Sequence, residues 1–442
     1  MDEKLLINGN IPKSYFRLTI PNVLSMVITL VYNLADTYFI AVVGNTDLVA
    51  GVSLCAPVLT IQMAFGNVFA QGGCSLTSRL LGAAKKDDVK HVSAHCIYAG
   101  YLLGLILGVF FLLAGNILLP LLGADRDTVG FAAEYFYWIA AGSPFIVASY
   151  VYTNLFRSEG MSKEAMFGSS IGAVLNIILD PIFISGLGMG ARGAAIATVI
   201  GYIASDIYCT VVLLKKSQVL SMNLRCFRIS GEYEKQILGI GIPAAIMNIV
   251  QSLSVIFLNH FLLPYGNVEI AAMGIAMKTV SIVNLVLIGL AYGGQPLFGY
   301  FFGAKDRDNL KKLTRFNLRV ITGTAVVMSA VVFAAAVPLI RFFMDDPTIV
   351  QGGSLMLRLQ VVTMTFAGIV LLLTLIFQSA GKIGVSFLLS VSRQGFIFLA
   401  VLFLASRLLG YYGVLAAQAI ADVISLVLAG SLFYRGIYKD WK

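Results

Sequence analysis

Apolar residues run through this chain in long unbroken stretches, with polar residues gathered into short clusters between them. Twelve such stretches can be marked, with approximate ends at 14–41, 49–77, 91–113, 128–155, 165–185, 193–214, 236–263, 268–298, 315–337, 352–377, 385–406 and 413–434. A hydrocarbon core roughly 30 Å thick is crossed by about 20 helical residues, so each stretch is long enough to span it. A closed barrel would alternate apolar and polar residues, and no other backbone satisfies its hydrogen bonds in lipid. The pattern predicts an all-α polytopic membrane protein with twelve transmembrane helices. Composition agrees: 58% of the 442 residues are hydrophobic and 12% charged, and the mean hydropathy is +0.87. The opening segment MDEKLLINGNIPKSYFRL carries acids, lacks a small-residue cleavage site and leads straight into the first span, so a mature start is expected rather than a removable signal peptide.

The stretches repeat. Gly72, Gly73, Leu76, Gly82, Ala83, Asp87 and Lys90 are echoed by Gly293, Gly294, Leu297, Gly303, Ala304, Asp308 and Lys311, each 221 residues on. At the same spacing Phe156, Ser158 and Gly160 return as Phe377, Ser379 and Gly381, and Pro21 returns as Pro243 with one residue of slippage. The division expected is an N-terminal lobe over 1–214, a polar linker over 215–235 and a C-terminal lobe over 236–442. Six spans per half is an even number, so both halves start on the same side. They are then related by a pseudo-two-fold along the membrane normal, as in parallel-repeat transporters.

The formal net charge of +9 is confined to alternate loops. Arg79, Lys85, Lys86 and Lys90 lie after the second stretch, Lys215, Lys216, Arg225, Arg228 and Lys235 after the sixth, and Lys305, Arg307, Lys311 and Lys312 after the eighth. The loops between them are poor in base. This is the positive-inside pattern, so an integral plasma (inner) membrane protein with both termini cytoplasmic is expected, and a nucleic-acid partner is not. The five cysteines form no CxxC pair or metal-ligand spacing and read as packing residues.

Against this background a few ionisable residues stand inside the apolar stretches. An acid at such depth is unfavourable by roughly 2.5–3.5 kcal/mol on insertion scales and is by default a candidate functional group. Asp180 has Asn176 one turn before it on the same helical face, and Thr198 lies across a glycine-rich turn. Asp36 sits in the first span. Counted from the span ends, Asp36, Asp180 and Thr198 share one layer, roughly 9 Å deep. Two carboxylates, an amide and a hydroxyl could hold a proton between the acids or a small hard cation such as sodium. Pro181 directly after Asp180 frees backbone groups beside the carboxylate. With local slippage the repeat places the apolar neighbourhood of Ala400 opposite Asp180 and Phe257 or Leu258 opposite Asp36, so ion coupling is expected in the first half only. Arg393 and Asp422, on consecutive spans, are expected to pair. Asp206 and Lys278 stay unassigned, and His95 and His260 are expected to be satisfied core histidines.

The segments YNLADTYFIAVVG, GGCSLTSRLLGA, RSEGMSKEAM and LNIILDPIFISGLGMGARGAAIAT resemble the multidrug and toxin extrusion (MATE) family over the whole chain. Asp36, Asn176, Asp180 and Thr198 match the first-lobe cation site of prokaryotic members. The resemblance implies a two-lobed antiporter, not an enzyme, that exports cationic, partly apolar compounds in exchange for protons or sodium, needs no other cofactor and works as a monomer among membrane lipid. Members that couple through the second lobe carry a glutamate eight residues after the proline of the seventh span. Here that position is Gln251, and the acid that branch uses in the tenth span is absent too. A cavity between the lobes would be lined by apolar and aromatic side chains with a few amides. Candidates are Met26, Tyr32, Gln62, Met63, Asn154, Met247, Gln251 and Gln295. The alternative, a flippase for a lipid-linked anionic precursor, would call for arginines facing the cavity. No HExxH, P-loop or Ser–Lys arrangement points to catalysis.

Overall fold

The computed structural model describes residues 10–344 and 346–439, and among them all regular structure is helical. The N-terminal lobe comprises α1 (Ile11–Val42), α2 (Thr46–Gly82, interrupted at Cys55), α3 (Lys86–Leu121), α4 (Val129–Glu159), α5 (Ser162–Gly186) and α6 (Gly190–Lys216). The C-terminal lobe comprises α7 (Gly231–Leu262), α8 (Asn267–Gly303), α9 (Arg307–Ala334) and α10, whose segments Pro347–Val362 and Met364–Ser379 meet at a 40° bend. Its last two spans run on as one apolar helical stretch, Ile383–Tyr438. At Gly410, with φ 56° and ψ −130°, that stretch leaves helical geometry. A Cβ on Gly413 would land on the Ala405 carbonyl, and Asp422 bonds Arg393, 29 residues earlier. A straight helix would hold those two roughly 43 Å apart. The chain therefore reverses there, giving α11 (383–409) and α12 (411–433) and completing the twelve expected spans.

The lobes touch in a crosswise pattern: α1 packs on α8, and α2 packs on α7. Two-fold symmetry demands such an exchange. At the seam the approach is as close as backbone allows, because glycine leaves room that any Cβ would fill. A Cβ on Gly82 would meet the Tyr300 carbonyl, and one on Gly303 would meet the Arg79 carbonyl. These are the same contact seen from each half. Cross-lobe hydrogen bonds reinforce it: Tyr15 donates to the Leu290 carbonyl at 2.9 Å, Asn22 to the Gly289 carbonyl at 2.7 Å, and Ser75 to the Gln378 carbonyl at 2.5 Å. All these residues occupy the halves of α1, α2, α8 and α10 nearest the basic loops. The lobes are closed at the basic end.

The linker lies against the start of α3. Tyr98 donates to the Met222 carbonyl at 2.6 Å, Tyr233 to Asp88 at 2.7 Å, and His91 pairs with the Arg228 carbonyl at 3.1 Å. Two expectations fail here. His95 is only half-buried and belongs to this surface, its ring stacked on Phe227 and its Nδ1 on the Phe227 carbonyl at 3.0 Å. His260 is exposed. Lone histidines in apolar runs looked like core residues because sequence does not show which helix face meets a neighbour.

The expected pair is present: Arg393 Nε lies 2.9 Å from Asp422 Oδ1, and the Asp422 side chain is 2% exposed. Gln418 and Thr363 also donate to that carboxylate, at 3.0 and 3.1 Å. The repeat gives this pair a counterpart. Displaced by 221 residues, Arg393 and Asp422 correspond to Gly172 and Gly201, whose backbones touch where α5 crosses α6. One lobe closes the crossing with two glycines and the other holds it with an ion pair.

Two tests follow from these contacts. Gly82→Val should force the seam apart, since overpacking typically costs about 1–3 kcal/mol. In a Cys226→Ser background, Cys74, which is buried on α2, should then react faster with a thiol reagent, read by peptide mass. Asp422→Asn should lower the Tm far more than the paired replacement Arg393→Met with Asp422→Leu, because removing one partner of a buried pair costs about 3–5 kcal/mol while removing both is often neutral.

Candidate functional site

Four helices of the N-terminal lobe build the site. α1 packs on α5, α5 on α6, and α4 on α6. α5 is α-helical to Asp180 and then widens to a π-helix over Pro181–Gly186. Proline has no N–H to return to the Ile177 carbonyl, so the regular ladder cannot continue, and π turns of this kind are frequent at functional positions. The widening sits directly under the carboxylate.

Asp180 is fully buried, and Asn176 and Thr198 are each 2% exposed. With its amide oriented to suit its neighbours, Asn176 donates to Asp180 Oδ2 at 2.8 Å and accepts from the Thr198 backbone N–H at 3.0 Å and the Thr198 hydroxyl at 3.2 Å. Asn176 thereby ties the α5 acid to α6. Asp36 comes from α1, and its carboxyl faces that of Asp180 within hydrogen-bonding reach. Oδ1 of Asp36 and Oδ1 of Asp180 are both buried without a partner. All four candidates are thus together, as their common depth predicted, with two acceptor oxygens unspent.

Two tyrosines complete the surround. Tyr32, half-buried on α1 one turn before Asp36, turns its hydroxyl to Thr198. Sequence reading had placed it only among cavity-lining residues. Tyr135, buried on α4, stands beside both acids and was missed altogether. It lies in YFYWIAAG, where four consecutive aromatics offer no means of telling a packing ring from a polar one.

The remaining cavity candidates divide. Gln62 is fully buried and donates to the Ile139 carbonyl at 3.1 Å and to Ser143 at 2.6 Å, holding α2 to α4. Asn154 donates to the Tyr150 carbonyl at 2.9 Å within α4 and accepts from Gln71 at 3.4 Å. Gln295 is 2% exposed and its Nε2 is buried without a partner. Met26, Met63 and Met247 are half-buried and Gln251 is exposed. The latter two lie on α7 beyond its glycine contact with α2 at Gly241. Lys278 is exposed and takes part in no ion pair found among the described residues. No group of three or more His, Cys, Asp or Glu side chains placed to hold a metal occurs among the described residues.

Comparison with known proteins gives a consistent picture. The MatE family model matches residues 21–182 and 243–404, once in each lobe. The chain is 30% identical over 435 residues to the multidrug export protein MepA of Staphylococcus saprophyticus, covering 98% of this chain and 96% of that one. MepA of Staphylococcus aureus matches with the same identity and coverage. Among solved structures, one described as the outward-facing conformation of a multidrug resistance MATE family transporter of the MOP superfamily superimposes with a TM-score of 0.93. It is 25% identical, with 100% of this chain and 99% of that chain covered.

Proposed function

The chain belongs to the MATE family of integral membrane transporters, and from that premise we propose that it exports cationic, partly apolar drugs in exchange for protons or sodium bound at Asp36, Asn176, Asp180 and Thr198. The observation that carries this reading is the facing pair of acids with two unpartnered, buried oxygens. Two carboxyl groups hydrogen-bond to each other only when a proton sits between them, and neither pairs with a cation among the described residues to make double ionisation affordable. Sodium could replace that proton, drawing on the same oxygens with the Thr198 hydroxyl and the Asn176 amide oxygen as further ligands.

Ion binding does work only if it favours one packing of the lobes over another. The site is placed for that. Asp36 is on α1, which also forms part of the closed seam through Tyr15 and Asn22, so a change between α1 and α5 bears on how the lobes meet. If the pair alternates between one proton and two, exchange for a monovalent cation is electroneutral. A gradient of one pH unit then supplies about 1.4 kcal/mol per proton, or roughly tenfold accumulation. The basic end, where α1 begins and α12 ends, is taken as cytoplasmic by the distribution of lysine and arginine. The flippase alternative has little support, since Arg393 is spent on Asp422. The partners proposed are organic cations and the surrounding lipid, with the monomer as the working unit.

The test is ethidium efflux from proteoliposomes, driven separately by a pH gradient and by a sodium gradient. Asp180→Asn should abolish efflux under whichever gradient drives the wild type, a loss of at least tenfold, while the variant still purifies as a folded monomer. Wild-type rates in that variant reject the first-lobe assignment. Gln251→Ala should alter the apparent affinity for ethidium at most and leave the dependence on the gradient intact; if that dependence disappears, coupling is not confined to the first lobe.

A further inference from the structure

A second buried acid lies on α6 below the site, and the coupling reading gives it no part. Asp206 is 3% exposed. Its Oδ2 accepts from the Tyr101 hydroxyl at 3.1 Å, and its Oδ1 is buried with no partner. No lysine, arginine or histidine pairs with it among the described residues. The groups that face it are Tyr101 from α3, Tyr152 from α4, and Tyr202 and Cys209 on its own helix. α5 brings Gly168 and Gly172 to this stretch of α6, and its Glu164 lies at Lys216, 3.5 Å away. A buried acid without a counter-ion is a costly way to accept one hydrogen bond from a tyrosine, which an asparagine would accept equally well.

Its position gives the acid a use. Thr198, Tyr202, Asp206 and Thr210 follow at four-residue intervals on α6, so they form one stripe down the helix, with roughly 6 Å between successive members. The stripe begins at the acid site, where Thr198 meets Asn176 and the Tyr32 hydroxyl. One turn on, Tyr202 lies near Tyr150 of α4. Asp206 and Tyr101 come next, and the Tyr101 ring lies against Tyr152 with centroids 6.3 Å apart. Tyr152 in turn pairs with the Thr210 hydroxyl at 2.9 Å and reaches Met222 Sδ, in the linker, at 3.3 Å. Polar, exchangeable groups therefore recur along α6 from the paired acids toward the basic end.

We propose that Asp206 is a proton relay, carrying protons between the Asp36–Asp180 pair and the basic-end surface along the Tyr202, Tyr101 and Tyr152 hydroxyls. This rests on the reading that the first lobe is coupled to protons. Each transfer conserves charge and hydrogen: a hydroxyl accepts a proton on its oxygen as it passes its own to the next acceptor, and Asp206 is neutral when loaded and anionic when it has delivered. The unpartnered Oδ1 is where the proton is received. Asp180 then exchanges protons with the basic end while the seam between the lobes stays shut.

The experiment uses the full-length protein in proteoliposomes with an entrapped pH dye, following ethidium-driven proton release and ethidium–ethidium exchange. Asp206→Asn should slow proton-coupled efflux at least tenfold while exchange, which moves no net proton, continues near the wild-type rate. Asp206→Glu should restore most of the loss. Tyr101→Phe should slow efflux a few fold and raise the H2O/D2O rate ratio, which a packing defect would not do. A wild-type coupled rate in Asp206→Asn beside an inactive Asp180→Asn overturns the relay and leaves the first-lobe reading standing. Full activity in Asp180→Asn overturns that reading itself. Equal loss of exchange and coupled efflux in Asp206→Asn, or efflux driven by sodium alone, also overturns the relay. Should Asp206→Asn fail to fold, Tyr101→Phe and Tyr202→Phe decide, and an unchanged isotope ratio in both rejects it.

Discussion

Holding a carboxylate in a medium that cannot solvate it is the constraint on which this structure turns. Three acids, Asp36, Asp180 and Asp206, lie within the spans with no cation paired to them among the described residues. A fourth, Asp422, has Arg393 at 2.9 Å. The difference separates two kinds of group. Asp422 is compensated from three directions, by Arg393, Gln418 and Thr363. Asp36 and Asp180 keep buried oxygens unpartnered and can lower their free energy only by taking up a proton or a small cation. This contrast between the unpaired acids of the first lobe and the paired acid of the second is what the proposed first-lobe coupling rests on.

The lobes share a fold because they share the constraints of lipid: helices that satisfy their own backbones, small residues where helices cross, and glycine where the two halves meet. They diverge where one side chain can change what a crossing does. The correspondence of Gly172 and Gly201 with Arg393 and Asp422 is the clearest instance. Two glycines let α5 and α6 approach until backbone touches backbone, which brings Asn176 and Thr198 within bonding distance just above. An ion pair at the equivalent crossing of α11 and α12 needs room for a guanidinium.

Much of this was legible in the residues. Unbroken apolar runs gave the spans, a constant displacement gave the two halves, and the common depth of Asp36, Asp180 and Thr198 pointed to side chains that the structure brings together. These signals survive without coordinates because they depend on periodicity and length alone. Orientation about the helix axis does not. His260 proved exposed and His95 half-buried at the linker, Gln62 turned out to hold α2 to α4, and Tyr135 could not be told from its aromatic neighbours, since each depends on which face a partner covers. The reversal at Gly410 is a related case: the glycine is visible in the sequence, and the Asp422–Arg393 contact shows what it does.

The stripe through Thr198, Tyr202 and Asp206 combines both kinds of information. Its four-residue spacing is plain in TVIGYIASDIYCT, yet such spacing on an apolar helix ordinarily means one packing face. What distinguishes it is the partner each member finds from another helix: Tyr32 from α1, Tyr150 and Tyr152 from α4, Tyr101 from α3. Three other helices bring hydroxyls to one line, and the line ends at a linker that ties itself to the start of α3. A lobe that only had to pack could fill those positions with phenylalanine and leucine, which carry no hydroxyl to satisfy. The proposed relay through Asp206 gives these aligned hydroxyls a use that packing alone does not.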